Sequence, residues 1–350
     1  MPSSTDKKLI LVIGATGAQG LAVIDKLLAP SEDGSPSPYT IRALTRDPEN
    51  PRAKELIAKG VECVKVTAFL INFAQGRFDH FENVAAALKG VYGAWVNIDG
   101  FTIGEPWEMY TGMRIFELAK QAGVKHYVWS NLDYAFKLGN YNETYRCQHY
   151  DAKGRVAEWM QAQPSAVSGT DMTWSVVTSG PYMDMLHNMM FGPLKKRENG
   201  TIVFATPVGN GHVPMIALSD MGFFARYTFD NRATTSGQDL AIATEMVGWE
   251  HLKTTFEKVT GQKAEVVSQT IDDWLEDRLN FRGWWALWRD DIVKRDMEWI
   301  RKVNPKGHTL ESWMREQNYG DHLWQKIDIL KITEDGHMGI LPGKERLQKL

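Results

Sequence analysis

Only two cysteines, Cys63 and Cys147, occur in 350 residues. They form neither a disulfide framework nor a metal-ligand spacing, as expected of a chain kept in a reducing compartment. No apolar run approaches the length of a membrane span. Residues 1–8 are polar and lead straight into an apolar segment, so no signal peptide is expected. Excess positive charge is also missing: 40 Lys and Arg stand against 43 Asp and Glu, a net charge of −3. The densest basic spot, Lys195-Lys196-Arg197, reads as a solvated loop rather than a phosphate track. These absences argue against a stapled secreted domain, a membrane protein and a direct nucleic-acid binder, and the expectation is a soluble, cytoplasmic protein. There is no internal repeat and no low-complexity tract. A chain of this length can bury a large core as one domain or two intimate ones.

What is present begins at Leu9. Leu9 to Ile13 is a run of branched apolar residues, read as a strand buried on both faces. Gly14-Ala15-Thr16-Gly17-Ala18-Gln19-Gly20 follows as a tight turn, and apolar residues at 21, 24, 27 and 28 have helical spacing. A helix starting there aims unpaired N–H groups and the positive end of its dipole over the turn, where a pyrophosphate fits. Gly14 supplies the sharp turn, Gly17 has no Cβ to block a phosphate, and Gly20 lets helix and strand pack closely. The spacing is G-x-x-G-x-x-G, not the commoner G-x-G-x-x-G. A glycine triplet alone is weak evidence, and a merely structural turn is the alternative.

Tyr39 to Thr45 reads as a second strand, ending at Thr45-Arg46 where the commoner fingerprint places an acidic residue against the ribose 2′-hydroxyl. A hydroxyl and a guanidinium suit a 2′-phosphate, which favours NADP(H) over NAD(H); the plain alternative for Arg46 is a solvated charge. Further strands are expected at 61–69, 91–97, 124–130 and 172–178, with helices at 53–60, 83–89, 105–122 and 146–161. Alternating strands and helices give an α/β, doubly wound parallel Rossmann sheet, with ligands over the strands' carboxyl ends. Arg46, Asn97, Asp99 and Ser130 fall at such ends. Residues 131–148 read as a mobile loop above that edge. Beyond residue 190 a hairpin near 200–213, helices near 218–229 and 248–260, and a strand near 238–243 suggest a smaller α+β C-terminal lobe. The domain boundary is placed between 1–185 and 186–350. Phe281, Trp284, Trp285, Trp288, Ile292 and Trp299 have helical spacing, the mark of a packed apolar face, with a substrate pocket or partner surface as the alternative.

A nicotinamide reductase needs a proton donor and groups that hold the ribose. The helix at 146–161 offers His149, Tyr150, Asp151 and Lys153; either His149 or Tyr150 can share a face with Lys153, three or four residues on. Lys153 can bind ribose hydroxyls, or it is an ordinary surface lysine. Tyr134 and Tyr182 are alternative donors.

The glycine turn, Thr45-Arg46-Asp47-Pro48 and His149-Tyr150-Asp151-Ala152-Lys153-Gly154 together resemble the NmrA-like family, an atypical branch of the short-chain dehydrogenases. Pro181-Tyr182-Met183-Asp184 and Val213-Pro214-Met215 to Gly222 extend the likeness, which runs over roughly residues 8–260. The resemblance implies that Gly14 to Gln19 hold a pyrophosphate, Arg46 a 2′-phosphate, Lys153 the nicotinamide ribose, and Pro181 to Asp184 the nicotinamide side. It implies either an NADPH-dependent reductase of a carbonyl, imine or activated alkene, as in fungal secondary metabolism, or a cofactor sensor that binds a regulatory protein. Two departures stand out. His149 occupies the place of the short-chain dehydrogenase tyrosine, so of Ser-Tyr-Lys only Ser130 and Lys153 remain, and Thr67-Ala68 replaces the usual Gly-Asp near the adenine.

Overall fold

The computed structural model describes residues 7–65, 81–188, 190–274, 279–321 and 323. Strands β1 (Lys8–Ile13), β2 (Tyr39–Thr45), β3 (Glu62–Lys65), β4 (Gly93–Val96), β5 (His126–Leu132) and β6 (Thr173–Ser179) are followed by β7 (Lys195–Lys196), β8 (Ile202–Thr206), β9 (Val213–Met215), β10 (Asp239–Ala241), β11 (Glu245–Val247) and β12 (Ala264–Ser268). The helices are α1 (Ala18–Leu28), α2 (Pro51–Ala58), α3 (Phe81–Ala87), α4 (Gly100–Ile103), α5 (Glu105–Gln121), α6 (Ala135–Leu138) and α7 (Gln148–Gln161). After them come α8 (Leu218–Asp230), α9 (Arg232–Thr235), α10 (Trp249–Thr260), α11 (Ile271–Trp274), α12 (Leu279–Arg289), α13 (Met297–Val303) and α14 (Leu310–Glu316). Among the described residues no helix is long and apolar enough to cross a membrane.

The central sheet has seven strands in the order β10-β6-β5-β4-β1-β2-β3. Strand β1 pairs in parallel with β2 and β4, β2 with β3, and β4 with β5. The order reverses at β1, so the crevice above its carboxyl end is the switch point where such sheets bind ligands. This is the Rossmann architecture expected from the alternation of strands and helices. Residues Ile10, Leu11 and Val12 have no exposed surface, which is why a strand with helices on both sides reads as an unbroken apolar run.

The chain divides into two compact units, each assembled from three segments: Met1–Asn131, Ala152–Thr178 and Met221–Leu240 in the first; Leu132–Asp151, Ser179–Asp220 and Ala241–Leu350 in the second. The sequence reading draws a single cut after residue 185. In the first unit the core includes Leu11, Ile115, Phe116, Trp129, Val156 and Val176. The second unit has its own core around Phe191, Phe204, Trp249, Trp285, Trp288 and Trp313.

The second unit departs from expectation in two places. Residues 131–148 are not one loop: they form α6 and a 3₁₀ turn at Glu143–Tyr145, separated by Asn140 and Tyr141 in the left-handed region at φ 54° and 59°. The stretch near 200–213 is not one hairpin either. Strand β8 pairs antiparallel with β7 and in parallel with β12, while β9 leaves to pair antiparallel with β11. The tryptophan spacing does mark a packed face, since Trp284, Trp285 and Trp288 of α12 are buried and in mutual ring contact.

Candidate cofactor and active site

The glycine turn in the first unit is built as its spacing suggests. Gly14 has φ +81°, and a Cβ there would lie 2.7 Å from the Asn97 carbonyl oxygen, so only glycine fits without strain. The Gly17 N–H closes the turn on Gly14 O at 3.1 Å, and the Gly17 carbonyl accepts the first helical bond from Leu21 N–H at 3.0 Å. Gly17 is the N-cap of α1, and no side chain caps it. The N-terminus of α1 thus begins at the turn with no side-chain cap, the arrangement in which a helix end receives an anion. At Gly20 a Cβ would overlap Gly14 O and Ala15, so this glycine serves the packing of helix on turn. Ala15 is fully buried beneath it.

Ser130, buried at the end of β5, donates its hydroxyl hydrogen to Gln19 Oε1 at 2.7 Å. It ties the fifth strand to the first turn of α1, a link between two residues 111 positions apart. Thr45 and Arg46 close β2. The Thr45 hydroxyl is engaged locally, accepting from Asp47 N–H at 3.2 Å and donating to Asp47 O at 3.1 Å, while Arg46 is exposed. Asp99 caps α4, its carboxylate accepting from Phe101 N–H at 3.1 Å, Thr102 N–H at 3.3 Å and the Thr102 hydroxyl. The comparison at Thr67-Ala68 lies outside the described residues.

Lys153 is not a surface lysine. It is buried, and its ammonium lies 2.8 Å from Glu108 Oε1, 2.9 Å from Ile98 O and 3.2 Å from Asn97 Oδ1, with the Trp129 ring 5.2 Å away. Two of these contacts are hydrogen bonds, to Ile98 O and Asn97 Oδ1, and the third is an ion pair with Glu108. In the second unit His149 is buried among the rings of Tyr150, Phe281 and Trp284, with Nδ1 3.5 Å from Cys147 Sγ. Tyr150 packs on Trp284 and Trp288, and burial pushes its phenol well above the ordinary tyrosine range. Pro181 and Met183 are buried beside Asp184, whose carboxyl burial raises to about 6 against the opposing pull of its own backbone N–H and of His308.

Two residues of the first unit escape sequence reasoning. Arg52, in the first turn of α2, is buried and donates from Nη1 to Thr16 O at 3.2 Å, placing a guanidinium against the glycine turn. Glu108, in the first turn of α5, has no exposed surface. Glu108 stands in a first turn, where an acidic residue ordinarily complements the helix dipole, and Arg52 reads as a solvent-facing charge, so helical spacing gives no signal for either.

A family model described as the NmrA-like family matches residues 6–281. Among curated proteins, the chain is 29% identical over 285 residues to the NmrA-like family domain-containing oxidoreductase hkm9 of Aspergillus hancockii, with 78% of each chain covered. Among solved structures, NmrA, a negative transcriptional regulator in complex with NAD, matches with a TM-score of 0.69 at 16% identity, over 89% of this chain and 95% of that one. The triphenylmethane reductase of Citrobacter sp. complexed with NADP(H) matches with a TM-score of 0.64 at 17% identity, over 88% and 99%.

Proposed function

Since the chain belongs to the NmrA-like family, we propose that it is an NADPH-dependent oxidoreductase that reduces a carbonyl, imine or activated alkene of a small organic molecule. The observation that carries this reading is the uncapped N-terminus of α1 over the Gly14 to Gly20 turn. A pyrophosphate fits there because Gly17 offers no Cβ and the positive end of the α1 dipole, with no side-chain cap, favours an anion. Arg46 would meet the adenosine 2′-phosphate and Lys153 the hydroxyls of the nicotinamide ribose. Pro181 to Asp184 are assigned to the nicotinamide side on the sequence resemblance alone. Bound in this way, the cofactor supplies a hydride for an electrophilic carbon of the substrate.

The protein's part is to bind and orient. Ser130 and Gln19 fix the turn against β5, and Lys153 holds a positive charge beside the end of β4. The candidate proton donors are His149, Tyr150, Tyr134 and Tyr182. A phenol pushed upward by burial, as in Tyr150, is a weaker acid than an unperturbed one, which favours the others. The relative hkm9, named an oxidoreductase and aligned over 78% of each chain, supports an enzyme over a sensor that responds to NAD(P) by binding a regulatory protein. Purified protein is expected to oxidise NADPH with at least one member of a panel of ketones, imines and enones. Normal NADPH binding without turnover across that panel would contradict the enzyme and leave the sensor.

A further inference from the structure

Lys153 is held by a carboxylate that no sequence motif marks. Glu108 is wholly buried, and burial holds its carboxyl above the usual carboxylate range despite the downward pull of the Lys153 ammonium. Asp99 and Glu105 add smaller upward contributions, and Glu105 has its own cation in Arg155. Space for the Glu108 side chain exists because residue 100 is glycine: a Cβ there would overlap Glu108 Oε2. The carboxylate, the Ile98 carbonyl and the Asn97 amide oxygen together enclose the ammonium on the side of α5 and β4. A buried ion pair with one member removed leaves an uncompensated charge.

We propose that Glu108 is a positioning residue for this site. It fixes the Lys153 ammonium beside the carboxyl end of β4, so that a ribose hydroxyl can replace Asn97 Oδ1, the most distant of the three acceptors. The inference rests on the reading that Lys153 holds the nicotinamide ribose. It also changes what the lysine does. An ammonium neutralised by an adjoining carboxylate has little net charge with which to acidify a neighbouring donor, so Lys153 anchors more than it tunes.

The test is calorimetric titration with two probes, NADPH and adenosine 2′,5′-bisphosphate, the second lacking the nicotinamide ribose. Glu108→Gln and, independently, Gly100→Ala are each expected to weaken NADPH binding about 10-fold or more, the scale of one charged hydrogen bond. The bisphosphate affinity should stay within about 2-fold. In a Lys153→Met background, Glu108→Gln should add no further loss, and that double variant leaves no unpaired buried charge. Equal losses for both probes, unchanged NADPH binding, or a full further loss in the Lys153→Met background would overturn the role of Glu108. If Lys153→Met binds NADPH as tightly as the unmodified protein, the lysine reading itself fails, whatever Glu108→Gln does. Should Glu108→Gln fail to fold, Gly100→Ala, which keeps every charge, carries the comparison.

Discussion

Arg46→Ala is expected to weaken NADPH binding roughly 10- to 100-fold and NADH binding by less than about 3-fold, because a charge-assisted bond to phosphate is the only contact the two cofactors do not share at this residue. Arg46 follows directly on β2, whose carboxyl end lies next to that of β1 in the sheet. No acidic residue occupies the strand end to repel a 2′-phosphate; Thr45 does, with its hydroxyl already bonded to the Asp47 backbone. Discrimination therefore falls to the guanidinium. Because Arg46 is exposed, added salt should narrow the gap between the two cofactors. Calorimetry with both cofactors checks the expectation, and equal losses would show that Arg46 does not read the phosphate.

The second large effect concerns stability of the second unit. Arg295 and Asp133 form a bidentate pair at 2.9 and 2.8 Å, with side chains 2% and 6% exposed. The same guanidinium donates to Ile242 O at 3.1 Å and Lys294 O at 3.0 Å. One side chain thus joins the segment after β5, the segment after β10 and the C-terminal segment. Removing one partner leaves a buried charge without compensation, so Arg295→Ala is expected to cost about 3–5 kcal/mol. An Asp133→Leu, Arg295→Met double variant should lose much less, since it buries no charge. Denaturant unfolding followed by tryptophan fluorescence checks both, because Trp284, Trp285 and Trp288 are packed in that unit's core. A double variant as unstable as the single one would show that the bridging bonds to carbonyls, not the stranded charge, dominate.

How much of this is legible in the sequence depends on the reach of each interaction. The strand, turn and helix at residues 8–28 are local: an apolar run, three glycines and a helical period define them within one short stretch, and the central sheet follows from repeating that alternation. The pairing of β8 with β12 links Ile202 to Ala264, and nothing near either residue records the other. This is why the neighbourhood of Gly200 reads as a simple hairpin. Lys153 shows the same limit at the site. Its helical position is legible, but its counter-ion lies 45 residues upstream, on a helix whose acidic first turn looks like ordinary dipole complementation. Spacing also allows His149 and Tyr150 to face either way. Their burial against Phe281, Trp284 and Trp288 depends on α12, more than a hundred residues on.

The central claim is that the Gly14 to Gly20 turn receives the cofactor's pyrophosphate, and Gly17→Ala tests it most directly. Gly17 has extended backbone, φ −76° and ψ 163°, which any residue adopts, and a Cβ there meets only Gly14 O, at 3.3 Å. The fold should therefore persist, with a melting temperature close to that of the unmodified protein, while the methyl group stands where a phosphate must approach. Calorimetric titration is expected to show NADPH affinity reduced about 10-fold or more. A folded Gly17→Ala protein that binds NADPH as tightly as the unmodified chain would contradict the account.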